Sequence, residues 1–119
     1  MAQRFGSSAS FNETSKILSI DLNNLISIVI AGVDYGLDIS GITAANIDQY
    51  ASKILWALLL KSQANQATDN NDETVKIYIT NQGKRNVTRN SVAQFAYQLV
   101  ANAYQNDFLG STLDPDDMA

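Results

Sequence analysis

The sequence predicts an α+β fold in which a small antiparallel sheet packs against two helices. Apolar residues alternate with polar ones over 16–31 and 74–80, which is typical of half-buried strands. Apolar residues recur at a helical spacing over 44–65 and 91–106. The 119 residues are enough for one domain with a single core, which we expect to span 14–110.

The first apolar segment, residues 16–31, is predicted to form a β-hairpin. Its β-branched residues favour strands, and Asn23-Asn24 supplies a turn because asparagine tolerates a positive φ. The alternating apolar positions are Leu18, Ile20, Leu22, Ile26, Ile28 and Ile30. A helix is the alternative, with an apolar face made of Leu18, Leu22, Leu25 and Val29.

The first predicted helix covers 44–65, with Thr43 as its N-cap. Residues 54–60 are apolar on every side of this helix. Since a small domain cannot readily surround a helix, the segment indicates either a central helix covered by the sheet or a surface that packs on a partner. Trp56, Leu59 and Leu60 are the candidate contact residues in this segment.

The second half of the chain is predicted to contain a strand and a helix. Residues 74–80 alternate as a strand does, and Asn81-Gln82-Gly83 supplies a turn after it. Ser91 and Gln94 have the spacing of a capping box, which predicts a helix over 91–106. Its buried face would consist of Val92, Ala96, Leu99 and Ala103, with Phe95 alongside.

Both ends of the chain are predicted to extend from the domain. Residues 1–13 form a flexible N-terminal arm rich in glycine and serine, in which Phe5 and Phe11 could anchor on a neighbouring subunit or on the chain's own core. Residues 111–119 form an acidic tail. Its candidate contact residues are Asp114, Asp116 and Asp117.

The residue types present argue against an enzyme. The chain contains no histidine and no cysteine, so the commonest general base, the thiolate nucleophile and the soft metal ligands are missing. Asp34 and Asp38 lie in a glycine-broken loop, where their spacing fixes no geometry. Residues 69–80 lack the glycine and the glutamate that an EF-hand calcium loop requires. We therefore predict no enzymatic activity, no cofactor and no metal.

The net charge of −4 gives the chain no general attraction for nucleic acid or for anionic lipid. Lys84, Arg85 and Arg89 are a local exception, in a predicted loop that leads to a helix start at Ser91. The N–H groups of a helix start attract anions, so a small anion- or nucleic-acid-binding module using residues 84–89 is the alternative function. The other interpretation is that these cations pair with the acidic tail of another subunit.

Composition favours a structural or assembly subunit. Charged residues make up 17% and apolar residues 45% of the chain, which indicates a surface suited to contact with other protein subunits. We expect a homo-oligomer or a larger symmetric particle, such as a tailed virus in which this would be a minor virion protein, held together by the apolar helix face and the terminal extensions. No membrane association is expected. Residues 1–12 lack the apolar core of a secretory signal, so we expect the protein in the cytoplasm or in the particle.

Overall fold

A computed structural model of the protein describes residues 1–67, 76–105 and 114–118. Within these ranges the chain has two α-helices and three two-stranded antiparallel sheets, which confirms the predicted α+β class. Met1–Gln66 forms one compact unit and Ala67–Ala119 a second. The domain boundaries predicted at residues 13 and 110 remain a prediction.

The long helix of the first unit begins later than predicted. Helix α2 covers Ala51–Asn65 and follows a 3₁₀ helix at Ile47–Tyr50. Thr43, the predicted N-cap, exchanges hydrogen bonds with Asn46: its N–H donates to Oδ1 (2.7 Å), and its Oγ1 accepts from the Asn46 N–H (3.3 Å). These bonds close a turn before the helix, because side chains that bond nearby backbone groups compete with helical hydrogen bonding.

The predicted hairpin over 16–31 is wrong, and so is the alternative helix. Strand β2, Ile17–Ser19, pairs backwards with β1, Ser10–Asn12. The Asn12 side chain accepts hydrogen bonds from the N–H groups of Thr14 and Ser15, both at 3.0 Å. This local turn explains the pairing, since it reverses the chain inside the segment that was predicted to be a flexible arm.

The Asn23-Asn24 pair lies in a 3₁₀ helix, Leu22–Leu25, instead of a hairpin turn. Asp21 caps this helix by accepting a hydrogen bond from the Asn23 N–H at 2.9 Å. An aspartate at an N-cap satisfies a backbone donor at a helix start. The cap therefore commits residues 22–25 to a helical turn.

A second short hairpin follows, made of β3, Val29–Ile30, and β4, Val33–Asp34. Ala31 and Gly32 have φ values of 52° and 81°, the left-handed pair that a two-residue hairpin turn needs. Asp34 then accepts from the N–H groups of Ile28 and Gly36, both at 2.9 Å. One carboxylate thus fixes both ends of this hairpin.

The core of the first unit lies between α2 and the residues around β3. Leu25 and Ile28 are almost completely buried, as are Ala57 and Leu60 on α2. A short helix α1, Ala2–Phe5, packs on α2. Side-chain hydrogen bonds join the two helices. The Gln3 Nε2 donates to the Asn65 carbonyl (2.9 Å), and the Arg4 guanidinium donates to the Ser62 hydroxyl.

The second unit contains a long β-ribbon. Strand β5, Ile77–Arg89, pairs with β6, Val92–Ala103, through Asn90-Ser91. The predicted strand over 74–80 agrees with β5 from residue 77, and residues 74–75 lie outside the described ranges. The predicted turn at 81–83 is a bulge instead, with Gly83 at φ 75°, because an extra residue in one strand bends the ladder without ending it.

The helix predicted over 91–106 is wrong, since residues 92–103 form β6 and residue 106 lies outside the described ranges. Its apolar residues fit a period of two as well as a helical one. Pairing with β5 over twelve residue pairs decides between them, because the ladder satisfies the backbone polar groups of both strands. Ser91 lies in the turn at φ 62° and caps no helix.

Of the predicted acidic tail, residues 111–113 and 119 lie outside the described ranges. The described part contains a 3₁₀ helix, Pro115–Asp117. Asp114 caps it by accepting a hydrogen bond from the Asp116 N–H at 3.0 Å. The tail therefore has local order of its own at this point.

Candidate protein-interaction surface

The β5–β6 ribbon is the most distinctive surface of the described structure. Residues that face each other across an antiparallel pair lie on the same side of the sheet. One side of the ribbon therefore carries Thr88 beside Ala93 and Asn86 beside Phe95, and the other side carries Arg89 beside Val92. Among the described residues no third strand joins this sheet. A two-stranded sheet on its own is only marginally stable in water.

The two strands of the ribbon differ sharply in charge. Lys84, Arg85 and Arg89 all lie on β5. Strand β6 has the sequence VAQFAYQLVANA, with no charged residue, no proline and no glycine. Natural proteins protect open sheet edges with charges, lysine above all, because an uncharged edge is ready to pair with another strand. By this criterion β5 is a protected edge and β6 is not.

Phe95 is the most exposed large hydrophobic residue of the described chain, at 67% of its surface. The Lys84 Nζ lies 4.6 Å from the centre of its ring, which is a cation–π contact. Val92 on the opposite side of β6 is also exposed, at 54%. The apolar side chains of β6 are thus available on both sides of the ribbon.

The three predicted cations do not converge on one site. Lys84 points to the Phe95 side of the ribbon, whereas Arg85 and Arg89 share the other side. Four residues of strand separate the two arginines, which is roughly 13 Å. The helix start at Ser91, which was to complete an anion site, is replaced by a β-turn. The arrangement is that of a charged sheet edge more than that of a phosphate cradle.

The predicted apolar residues of α2 lie in different environments. Trp56 and Leu60 line a cavity of about 360 Å³ together with Tyr35 and Leu37. Leu60 is buried, and Trp56 and Leu59 are half-buried. Leu55, in the same apolar run, is 62% exposed. Among the described residues, α2 is therefore covered unevenly, and Leu55 places part of its apolar run on the surface.

The two phenylalanines near the N-terminus are separated by the local fold. Phe5 is half-buried at the end of α1, the helix that packs on α2. Phe11 is exposed on β1, opposite Leu18. Phe11 and Leu18 make one side of this hairpin apolar, and the exposed Ile17 lies on the other side. The part that Phe5 and Phe11 play as anchors remains a prediction.

The acidic partners predicted for the cations lie at the other end of the second unit's sequence. Asp114 and Asp116 are exposed, and Asp117 belongs to the 3₁₀ helix that follows Asp114. Pairing of these aspartates with the cations of another subunit also remains a prediction.

Three aspartates of the first unit are held in the charged form by local hydrogen bonds. The N–H groups of Ile28 and Gly36 lower the pKa of Asp34. The Ser40 hydroxyl and N–H lower the pKa of Asp38, and the Asn23 backbone N–H and side chain lower the pKa of Asp21. Hydrogen bonds that an ionised carboxylate accepts favour that form. Each bond closes a turn, so these carboxylates organise loops.

Sequence reasoning missed the exposed residues of β6, because it placed Val92 on the buried face of a helix with Phe95 beside it. Two signals could have found them. The odd positions from Ala93 to Ala103 are all apolar or aromatic, which is a period of two. The 17 residues of 90–106 also carry no charge, whereas the exposed face of a helix of that length is usually charged.

Among the residues that the structure describes, no helix combines the length and the hydropathy needed to cross a bilayer. Among the same residues, no three carboxylates come together in a group that could hold a metal ion.

Comparison of the chain with known proteins gives no match to a family model, to a curated protein or to a solved structure.

Proposed function

We propose that the protein is a non-enzymatic structural subunit that assembles with other protein subunits, as a homo-oligomer or within a larger symmetric particle. The distribution of apolar side chains carries this proposal. Among the described residues, five hydrophobic residues are buried, whereas thirteen large hydrophobic residues are exposed. Single exposed apolar residues are ordinary, but contiguous ones mark contact surfaces.

Several of the exposed residues lie near one another on β-hairpins. Phe11 and Leu18 face each other on one side of the first hairpin, and Ile17 lies on its other side. Val92 and Phe95 lie on opposite sides of the ribbon, and both belong to the uncharged edge strand β6. Such surfaces supply adhesion: burial of apolar area gives about 25 cal/mol per Å², whereas an exposed ion pair gives only about 0–1 kcal/mol. The mechanism is therefore burial of apolar surface, with charges fixing orientation.

Sedimentation equilibrium of the full chain over a range of concentrations tests the proposal. We expect a mass that rises to a multiple of the chain mass. Added salt should leave the association unchanged, because contacts between apolar groups are not screened. A chain that keeps the mass of one molecule at every concentration contradicts the proposal.

A double variant, Arg85→Ala with Arg89→Ala, serves as the control. Both arginines are exposed on the protected strand β5, so their loss should not lower the mass. If the chain instead stays monomeric and binds DNA at low salt, and the double variant abolishes that binding, the nucleic-acid alternative is correct. The steep salt dependence of phosphate contacts would accompany it.

A further inference from the structure

We infer that residues 92–96 of β6 form a strand-pairing edge for a second copy of this chain. The inference rests on the proposed function and names the contact through which assembly begins. In the resulting arrangement, the β6 strands of two molecules lie side by side and antiparallel, and the two ribbons become one four-stranded sheet. Such an isologous contact uses the same residues on both molecules.

The edge has the properties that strand pairing requires. In residues 92–96 all backbone N–H groups are present, since none is proline. Every second N–H and C=O of an edge strand points away from its partner, and in this structure no other described strand meets those of residues 92–96. Main-chain hydrogen bonds to an added strand give affinity in β-augmentation, and side chains beside it give specificity.

The charges of the two edge strands favour a second copy of this chain as the partner of β6. Two β6 edges can meet without any like charges, because residues 92–96 are Val-Ala-Gln-Phe-Ala. Two β5 edges would place three cations against three, and like charges across a pair are destabilising. A β5 edge against a β6 edge gives the cations no carboxylate to pair with. The uncharged edge is therefore complementary to itself.

The difference in charge between β5 and β6 also explains why the sheet would stop growing at two molecules. In the four-stranded sheet both outer edges are β5 strands, and each bears Lys84, Arg85 and Arg89. Charged edges resist the addition of further strands. Contacts through other surfaces remain available for assembly of the pairs.

A matched pair of lysine substitutions tests this inference. Ala93 and Thr88 are both exposed, and they face each other on the same side of the ribbon. Ala93→Lys puts a charge on the β6 edge of each molecule, and Thr88→Lys puts the same charge on the β5 edge. We expect the dimer dissociation constant, measured by sedimentation equilibrium, to rise about tenfold or more for Ala93→Lys and to stay unchanged for Thr88→Lys.

Each outcome is decisive. Gln94→Lys, at an exposed residue on the other side of β6, should weaken the dimer as Ala93→Lys does, which guards against a folding defect of one variant. Equal loss in Ala93→Lys and Thr88→Lys would show that partners dock on the ribbon's side and not on its edge. An oligomer that both β6 variants leave intact overturns the edge and keeps the proposed function. A monomeric wild-type chain overturns both.

Discussion

Replacing Phe95 by alanine should weaken self-association far more than it weakens the fold. The ring is 67% exposed in the single chain and lies beside the β6 edge. The Lys84 Nζ lies 4.6 Å from the centre of the ring. In a β6–β6 pair, the side chains of the added strand lie next to the ring, so part of its exposed surface becomes buried.

The expected size follows from the exposed area. A phenylalanine side chain has about 200 Å² to bury, so about 130 Å² of Phe95 is exposed. A strand added on one side covers about half of that, which at 25 cal/mol per Å² is about 1.6 kcal/mol for each ring. The dimer contains two rings, and the loss of about 3 kcal/mol corresponds to a dissociation constant about 100-fold higher.

Sedimentation equilibrium of wild type and Phe95→Ala gives this ratio directly, and denaturant unfolding reports on the fold. Lys84→Gln is the control, because it removes the cation–π contact, worth about 0.5–1 kcal/mol, and leaves the ring. Its dissociation constant should stay near that of the wild type. A Phe95→Ala protein that associates as tightly as the wild type would refute the placement of this ring at the contact.

Three further predictions concern the fold. Ser91→Gly should raise the free energy of unfolding by about 1 kcal/mol, measured by denaturant titration. The reason is that Ser91 has a left-handed φ of 62°, a conformation that costs a residue with a Cβ about 1 kcal/mol. An unchanged denaturation midpoint would contradict the turn. Leu25→Ala should lower the free energy of unfolding by about 2–5 kcal/mol, since Leu25 is fully buried. Leu55→Ala, on the exposed part of α2, should change it by no more than about 0.5 kcal/mol. Similar losses in the two variants would contradict the placement of Leu25 in the core. The pKa of Asp34 is lowered by backbone hydrogen bonds, so its contribution to stability is present above the unfolded-state pKa and is lost as the pH falls through the folded-state pKa. Acid titration of stability should therefore be flatter for Asp34→Asn than for the wild type, and parallel curves would contradict the role of this carboxylate.

The sequence predicted the class of fold and the long helix because those features depend on patterns within one segment. The apolar run of 54–60 belongs to a helix in the structure, as its spacing indicates. The strand at 77–80 follows from the alternation around Ile77 and Ile79, of which Ile79 is buried. Local periodicity is sufficient in both cases.

Strand pairing was not predictable in the same way, because it depends on which segments meet. Residues 92–103 fit both periods, and only the ladder to β5 decides between strand and helix. In the first unit, two short polar side chains determine the local structure. Asn12 closes the β1–β2 hairpin, and Asp21 caps a 3₁₀ helix. Such Asx turns depend on single hydrogen bonds that compete with regular structure, and apolar patterns do not reveal them.

The candidate interaction surface could not be predicted from local patterns either. The cations of residues 84–89 were recognised as a charged segment, but their role at a sheet edge depends on the strand beside them. The cations mark β5 as a protected edge only by comparison with the uncharged strand β6. The residues of β6 were predicted to form a helix, so the sequence did not reveal this difference in charge between the two edges. Exposure of Phe95 follows from that pairing and from no property of the residue alone.

An isotope-filtered NMR experiment on a mixture of labelled and unlabelled chains is the most direct test of pairing between β6 edges, since it detects only contacts between different molecules. We expect intermolecular contacts between backbone protons of residues 92–96 in the two chains, in an antiparallel order. Intermolecular contacts confined to the first unit, or to β5, would contradict it.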